Sequence, residues 1–181
     1  MAKLVGATYG EALFSLAVEE NKVDLFWEEI EGIKEVLAAN PELGRLLNHP
    51  KILKENKIEV LTDIFKGRIS EEMLGFLTLL VTKDRYSNLN GIFEYFITEM
   101  KVYKKIGVAH VTTAITLDEA KKKEIEARLL ATTSFQTMEM HFSVDQALIG
   151  GMVIRIGDRV IDSSVSTKLY ELQKQLLKVQ V

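Results

Sequence analysis

The residue types in this chain that could do chemistry are three histidines, several aspartates near one hairpin and a pair of adjacent glycines. A zinc site needs three or four ligands brought together, usually from short local spacings. His49, His110 and His141 have no such spacing. His49 precedes Pro50 and His141 falls on the polar side of an alternating stretch, so both read as structural. There is no cysteine, which excludes disulfides, thiolate nucleophiles and thiolate-bound zinc, and fits a reducing cytoplasm. Asp145, Asp158 and Asp162 flank the turns of one hairpin and could suggest a metal site. The simpler reading is that aspartate favours turns because it accepts hydrogen bonds from its own backbone. Gly150 and Gly151 have neither the spacing of a phosphate loop nor that of a dinucleotide fingerprint. No nucleophile, base and orienting group fall in one motif. The expectation is a protein with no catalytic residue, no metal and no cofactor.

The elements that position these residues are legible from their periods. Met138, Met140, Phe142 and Val144 alternate with Glu139, His141, Ser143 and Asp145, which predicts a half-buried strand over 138–144. Met152, Val153, Ile154 and Ile156 form a β-branched run, and Gly157-Asp158 stands where a two-residue hairpin turn would fall. Strands over 151–156 and 159–162 follow, with a terminal helix from about Val165. The glycine pair predicts a bulge or a close backbone approach. Upstream, Val108 to Ile115 is rich in threonine and β-branched residues and reads as a strand. Thr116 or Asp118 can cap a helix running to about Thr133, with Ile125, Leu129 and Leu130 on its buried side.

Everything before Gly107 reads as helix. The predicted helices cover about 3–20, 23–39, 41–48, 53–66, 71–83 and 88–105. Asn40-Pro41, His49-Pro50 and Gly67 punctuate them, and Ser70 is a candidate N-cap for the fifth. The fold class expected is α+β overall, with an N-terminal six-helix bundle over 1–106 and a small α+β domain over 107–181. Two helices carry more apolar surface than one core face needs. On the first, Val5, Tyr9, Ala12, Leu13 and Leu16 share one face while Ala7, Phe14 and Val18 lie nearly opposite. On the fifth, Met73, Leu74, Phe76, Leu77, Leu79, Leu80 and Val81 spread over more than half the circumference. Either these helices are central in the bundle, or one face of each borders a groove that takes a partner.

At 181 residues and 47% apolar content there is material for a core in one domain or two. A net charge of −3 supplies no broad positive field to attract nucleic acid or anionic lipid. No uncharged apolar run reaches membrane-spanning length and no signal-peptide pattern opens the chain, so any membrane association is expected to come through partners, without direct insertion.

The run GGMVIRIGDRVIDSS followed by a Lys-Leu helix resembles the C-terminal signature of the delta subunit of bacterial F-type ATP synthases, a family whose mitochondrial counterpart is the oligomycin-sensitivity-conferring protein. TYGEALFSLAVE is similar to that family's opening helix and FLTLLVTKDR to its fifth. The resemblance covers essentially the full length. It implies a non-catalytic stator subunit, peripheral at the cytoplasmic face of the bacterial cell membrane, that couples proton-driven rotation to ATP synthesis. It further implies that a groove between the first and fifth helices receives the N-terminal segment of an alpha subunit as an amphipathic helix. The positions matching that site are Tyr9, Ala12 and Leu79. Residues beyond about 107 would hold the C-terminal segment of the b subunit. The sequence departs from the family pattern at Ser163, Ser166 and Thr167, where the family has glycine and then an Arg-Gly pair. If Ser163 has positive φ, Ser163→Gly is expected to stabilise the protein, and otherwise to destabilise it.

The competing reading is an RNA-associated factor with a KH-like C-terminal module, suggested by Ile149-Gly150-Gly151 in a β-α-β-β context. A KH loop needs Gly-X-X-Gly with nearby positive charge. Here the glycines are adjacent and the chain is acidic.

Overall fold

The computed structural model describes residues 2–179. The chain divides into two compact units, one ending at Met100 and one beginning at Lys101. The first holds α1 (Ala2–Glu19), α2 (Val23–Ala39), α3 (Pro41–Asn48), α4 (Lys54–Phe65), α5 (Glu71–Thr82), a 3-10 turn (Tyr86–Asn88) and most of α6 (Leu89–Tyr103). Pro41 occupies the first turn of α3, where its missing N–H costs nothing. Ser70 caps α5, its hydroxyl accepting from the Met73 N–H, and the buried Glu29 of α2 in turn accepts from the Ser70 N–H and Oγ. One carboxylate thereby fixes where α5 begins. The core is built from Phe26, Ile30 and Ile33 of α2, Leu61 and Phe65 of α4, Met73, Leu77 and Leu80 of α5, and Ile92, Phe93 and Phe96 of α6.

The core stripe of α1 differs from the face expected. Gly6, Gly10, Leu13 and Ala17 are buried, while Val5, Tyr9 and Leu16 on one side and Ala7, Phe14 and Val18 on the other are half-buried flanks. The reason is the close approach of α6. A Cβ on Gly6 would stand 3.2 Å from the Gly91 carbonyl oxygen, and one on Gly10 would stand 2.7 Å from the Tyr95 ring. Counting apolar side chains misses a stripe that opens with Gly6 and Gly10, where close packing depends on having none.

The second unit holds β1 (Ile106–Thr113), α7 (Glu119–Thr132), β2 (Thr137–Val144), a 3-10 turn (Gln146–Leu148), β3 (Met152–Ile156), β4 (Arg159–Asp162) and α8 (Val165–Val179). The sheet order is β2-β1-β3-β4, with β1 and β2 parallel and the other pairs antiparallel. The α7 crossover supplies the parallel connection. Asp118 is its cap, accepting from the Lys121 N–H at 2.8 Å. Leu129, Ala109 and Met138 form a small core between α7 and the sheet, with Ile125, Leu130, Phe135, Met140, Ile154 and Ile156 packed around it. Gly157 has φ +55 in the two-residue turn joining Ile156 to Arg159, as a hairpin with glycine first requires. No described helix is long and apolar enough to cross a membrane.

Candidate functional site

The residues singled out for helix docking lie on α1 and α5, and contacts at both ends relate those helices. Lys22, just past the C-terminal end of α1, pairs with Glu72 in the first turn of α5. That hydrogen bond is the main reason the Lys22 ammonium is pushed above its ordinary range and the Glu72 carboxyl below its own. At the other end, Gly6 and Ala7 of α1 share a cavity of about 500 Å³ with Ser87 and Asn88 of the 3-10 turn that follows α5. Residues near the end of α1 therefore meet the start of α5, and residues near its start meet the segment after α5. The two helices run antiparallel within one unit.

On α1, Tyr9 is half-buried and Ala12 is exposed, one turn apart on the same flank. On α5, Met73, Phe76, Leu77, Leu80 and Val81 are buried, whereas Leu79 is 43% exposed. Leu79 lies two turns beyond Glu72 on the same side of the helix, the side that carries the Lys22 contact. An exposed leucine so placed is available to an apolar surface from outside. The cavity against α1 does not include Tyr9, Ala12 or Leu79; Gly91, Glu94, Tyr95 and Thr98 complete its lining.

In the second unit the histidines come together in a way that spacing did not reveal. His110 and His141 are register partners on β1 and β2, with rings stacked at 4.9 Å and 18°. His141 also meets Glu139 at 2.9 Å, and Glu139 pairs with Lys101 at 2.6 Å. The Lys101 hydrogen bond chiefly holds the Glu139 carboxyl below its ordinary range, with His141 adding to it. Only the β1–β2 register places the two histidines side by side. His49 is far simpler: its Nδ1 accepts from the Lys51 N–H. Among the described residues no group of three or more His, Cys, Asp or Glu side chains is arranged to hold a metal.

Two of the three turn aspartates, Asp145 and Asp162, accept from nearby backbone. Asp145 accepts from the Ala147 N–H, and Asp162 accepts from the Ser164 N–H and the Thr167 hydroxyl. The Ser164 and Thr167 bonds hold the Asp162 carboxyl below its usual range, the backbone bond to Ser164 first. The Gly150–Gly151 pair is covered by the start of α8. The Val165 N–H donates to the Gly150 carbonyl, and a Cβ on Gly151, at φ +76, would stand 2.3 Å from the Ser163 carbonyl oxygen. This is the close approach expected of the pair.

From Lys168 to Leu177 α8 is exposed. Val165, Leu169, Leu172 and Leu176 recur every third or fourth residue and form one apolar line along it. A second apolar surface is a cleft of about 470 Å³ where Ile125 and Leu129 of α7 face Met152 and Ile154 of β3, with Lys121 and Arg128 among its charged lining.

Comparison with known proteins was made on this geometry. The sequence profile described as "ATP synthase delta (OSCP) subunit" matches residues 5–176. The ATP synthase subunit delta of Lachnoclostridium phytofermentans is 49% identical over 181 residues, covering 100% of both chains. That of Desulforamulus reducens is 35% identical over 173 residues, covering 96% of this chain and 95% of its own. Among solved structures, a chain of the Toxoplasma gondii mitochondrial ATP synthase hexamer has the same fold, with a TM-score of 0.70 at 21% identity over 95% of this chain and 97% of that one. The profile match over almost the whole length, together with relatives aligned end to end, places this chain in the ATP synthase delta (OSCP) subunit family.

Proposed function

We propose that the protein is the non-catalytic stator subunit of a bacterial F-type ATP synthase, tying the catalytic head to the peripheral stalk at the cytoplasmic face of the membrane so that proton-driven rotation is coupled to ATP synthesis. The observation that carries this reading is an end-to-end relative, 49% identical, named ATP synthase subunit delta. The geometry agrees with a linking role, because each unit leaves an apolar helix surface open. In the helical unit these are Ala12 and Leu79, exposed on antiparallel helices. We place the N-terminal helix of an alpha subunit there. Ala12 lets an incoming backbone approach, Tyr9 offers an apolar ring with a polar tip at the rim, and Leu79 supplies apolar area.

The C-terminal segment of the b subunit we place on the second unit, along Val165, Leu169, Leu172 and Leu176, a line with the spacing of a coiled-coil seam. Neither contact needs to be tight alone, since attachment at several points raises avidity through effective concentration. RNA binding through a KH-like loop is disfavoured because the glycine pair is closed off by Ser163 and Val165.

The test is purification of the synthase from the native membrane. Co-migration of this chain with the catalytic subunits is expected, with loss of proton-driven synthesis and retention of ATP hydrolysis by the detached head when the chain is removed. A chain that travels with RNA and leaves synthesis unchanged would overturn the reading.

A further inference from the structure

Gly75 stands in the interior of α5, a helix of 12 residues. Glycine there is less favourable than alanine, because it loses more backbone freedom on folding and adds no side-chain contact. Other glycines of the helical unit have a reason within the chain. The close approach of α6 requires Gly6 and Gly10, and a φ of +75 requires Gly67. Gly75 has no such reason. Its φ is not left-handed, and a Cβ built on it would meet nothing within 4 Å beyond the adjoining backbone of its own helix. Alanine would fit, so packing inside the chain does not account for the glycine.

Its place on the helix supplies the account. Glu72, Gly75, Phe76 and Leu79 are spaced i, i+3, i+4 and i+7, the four residues that frame a hole for a side chain of a facing helix. They share the side of α5 that carries the Lys22 contact. Phe76 is buried and belongs to the core beneath, whereas Leu79 is exposed and gives the hole an apolar wall. Glu72 is held by Lys22, which offsets its charge at the rim. A side chain at position 75 would fill this hole from within the protein, and glycine leaves it to a partner. Gly32 and Gly44 are open in the same way, but they lie on α2 and α3, which contribute no residue to the proposed docking groove.

We infer that Gly75 is a specificity-determining residue of the groove between α1 and α5. It opens a hole on α5 that takes one large apolar side chain, of leucine size or greater, from the amphipathic helix that docks there. The inference rests on the groove reading proposed above. Helix stability is given up at Gly75 in exchange for recognition, and a helix that brings alanine or a polar residue to this contact forgoes the apolar burial and binds more weakly.

The test uses the full chain and the alpha-subunit N-terminal peptide, with affinity from calorimetry and stability from thermal melting. Gly75→Ala is expected to raise the melting temperature and yet weaken peptide binding by about fivefold or more, and Gly75→Leu to weaken it by about thirtyfold or more. Opposite signs for stability and affinity are the signature, since a residue with a purely structural role moves both together. Gly44→Ala should raise the melting temperature in the same way and leave affinity unchanged. Among peptides in which each large apolar residue is cut to alanine in turn, one should bind the wild type more weakly than the parent peptide does, with no such loss on Gly75→Leu. A lowered melting temperature in Gly75→Ala overturns the inference alone. So does unchanged affinity in both Gly75 variants while Leu79→Asp abolishes binding. If the wild type does not bind the peptide, or folded Leu79→Asp binds it equally well, the groove reading fails and this inference fails with it.

Discussion

At the residue scale, two backbone positions around the glycine pair behave oppositely. Ile149 is a β-branched residue at φ +64, a conformation that costs such a side chain about 1–2 kcal/mol, and it is 66% exposed. Ile149→Gly is therefore expected to stabilise the protein by about 1 kcal/mol, read as a raised melting temperature. Ser163 is not among the residues with positive φ, so the conditional expectation resolves to its second branch. Ser163→Gly should destabilise by about 0.5–1 kcal/mol, through unfolded-state entropy. Equal signs for the two glycine variants would contradict this account. Glu139 supplies a pH dependence. Its carboxyl is held below its ordinary range when folded, so its contribution is present above the unfolded value of about 4.3 and fades as pH falls through the lower folded value. Glu139→Gln should accordingly lower the melting temperature near pH 7 and make no difference near pH 2. The histidine stack beside it was invisible in the sequence because two residues on different strands become neighbours only through register.

At the element scale, α5 is the most informative helix. Its start was legible from Ser70, because a hydroxyl before two glutamates is a local signal, whereas the Glu29 carboxylate that locks the cap comes from another helix and carries none. Its apolar excess was legible as well, and the structure assigns most of it to the core while leaving Leu79 exposed. Leu79→Asp should therefore change folding stability little and remove about 2 kcal/mol or more of affinity for an alpha-subunit N-terminal peptide, by losing apolar transfer energy and adding desolvation cost. Calorimetry with the peptide measures the loss and circular dichroism checks the fold; unchanged affinity in a folded variant would remove Leu79 from the site. For α1 the pattern of side chains pointed to the wrong stripe, since glycine has no hydropathy to display. The β2 alternation gave the strand, but burial along it fades from Met138 to Val144, which a period-two pattern does not show.

At the scale of the whole molecule, the period change near Gly107 marked where helix gives way to strand, and compactness places the division at Met100 and Lys101, within the last turns of α6. The last residues of α6 count with the sheet because Lys101 reaches Glu139 and the Lys105 carbonyl accepts from Gln136. These long-range ties have no signature in a one-dimensional pattern. If the two units carry separate attachments, residues 1–106 alone should bind the alpha peptide as the full chain does and lose affinity for the b segment. Full b-segment binding by that fragment, measured by calorimetry, would refute the division of labour. The intact protein is also expected neither to hydrolyse ATP nor to bind it tightly, because no phosphate-cradling loop is present in the sequence. Micromolar ATP affinity would count against the stator reading.

The glycine-lined crossing of α1 on α6 also governs how the protein is made. The edge-to-face contact of Phe14 with Phe96, at 5.8 Å, and the approach of Gly6 to Gly91 join the opening helix to the last helix of its unit. On a ribosome the N-terminal helices emerge long before their partner, so the unit cannot close until α6 has cleared the exit tunnel. Until then α1 can meet α2 but lacks the α6 surface that its glycines fit, which leaves apolar flanks open to chaperones and to neighbouring nascent chains. Closure then precedes synthesis of most of the sheet, so the helical unit can be complete while the sheet unit is still being translated. The order in which the two units fold thus follows the order of the chain itself.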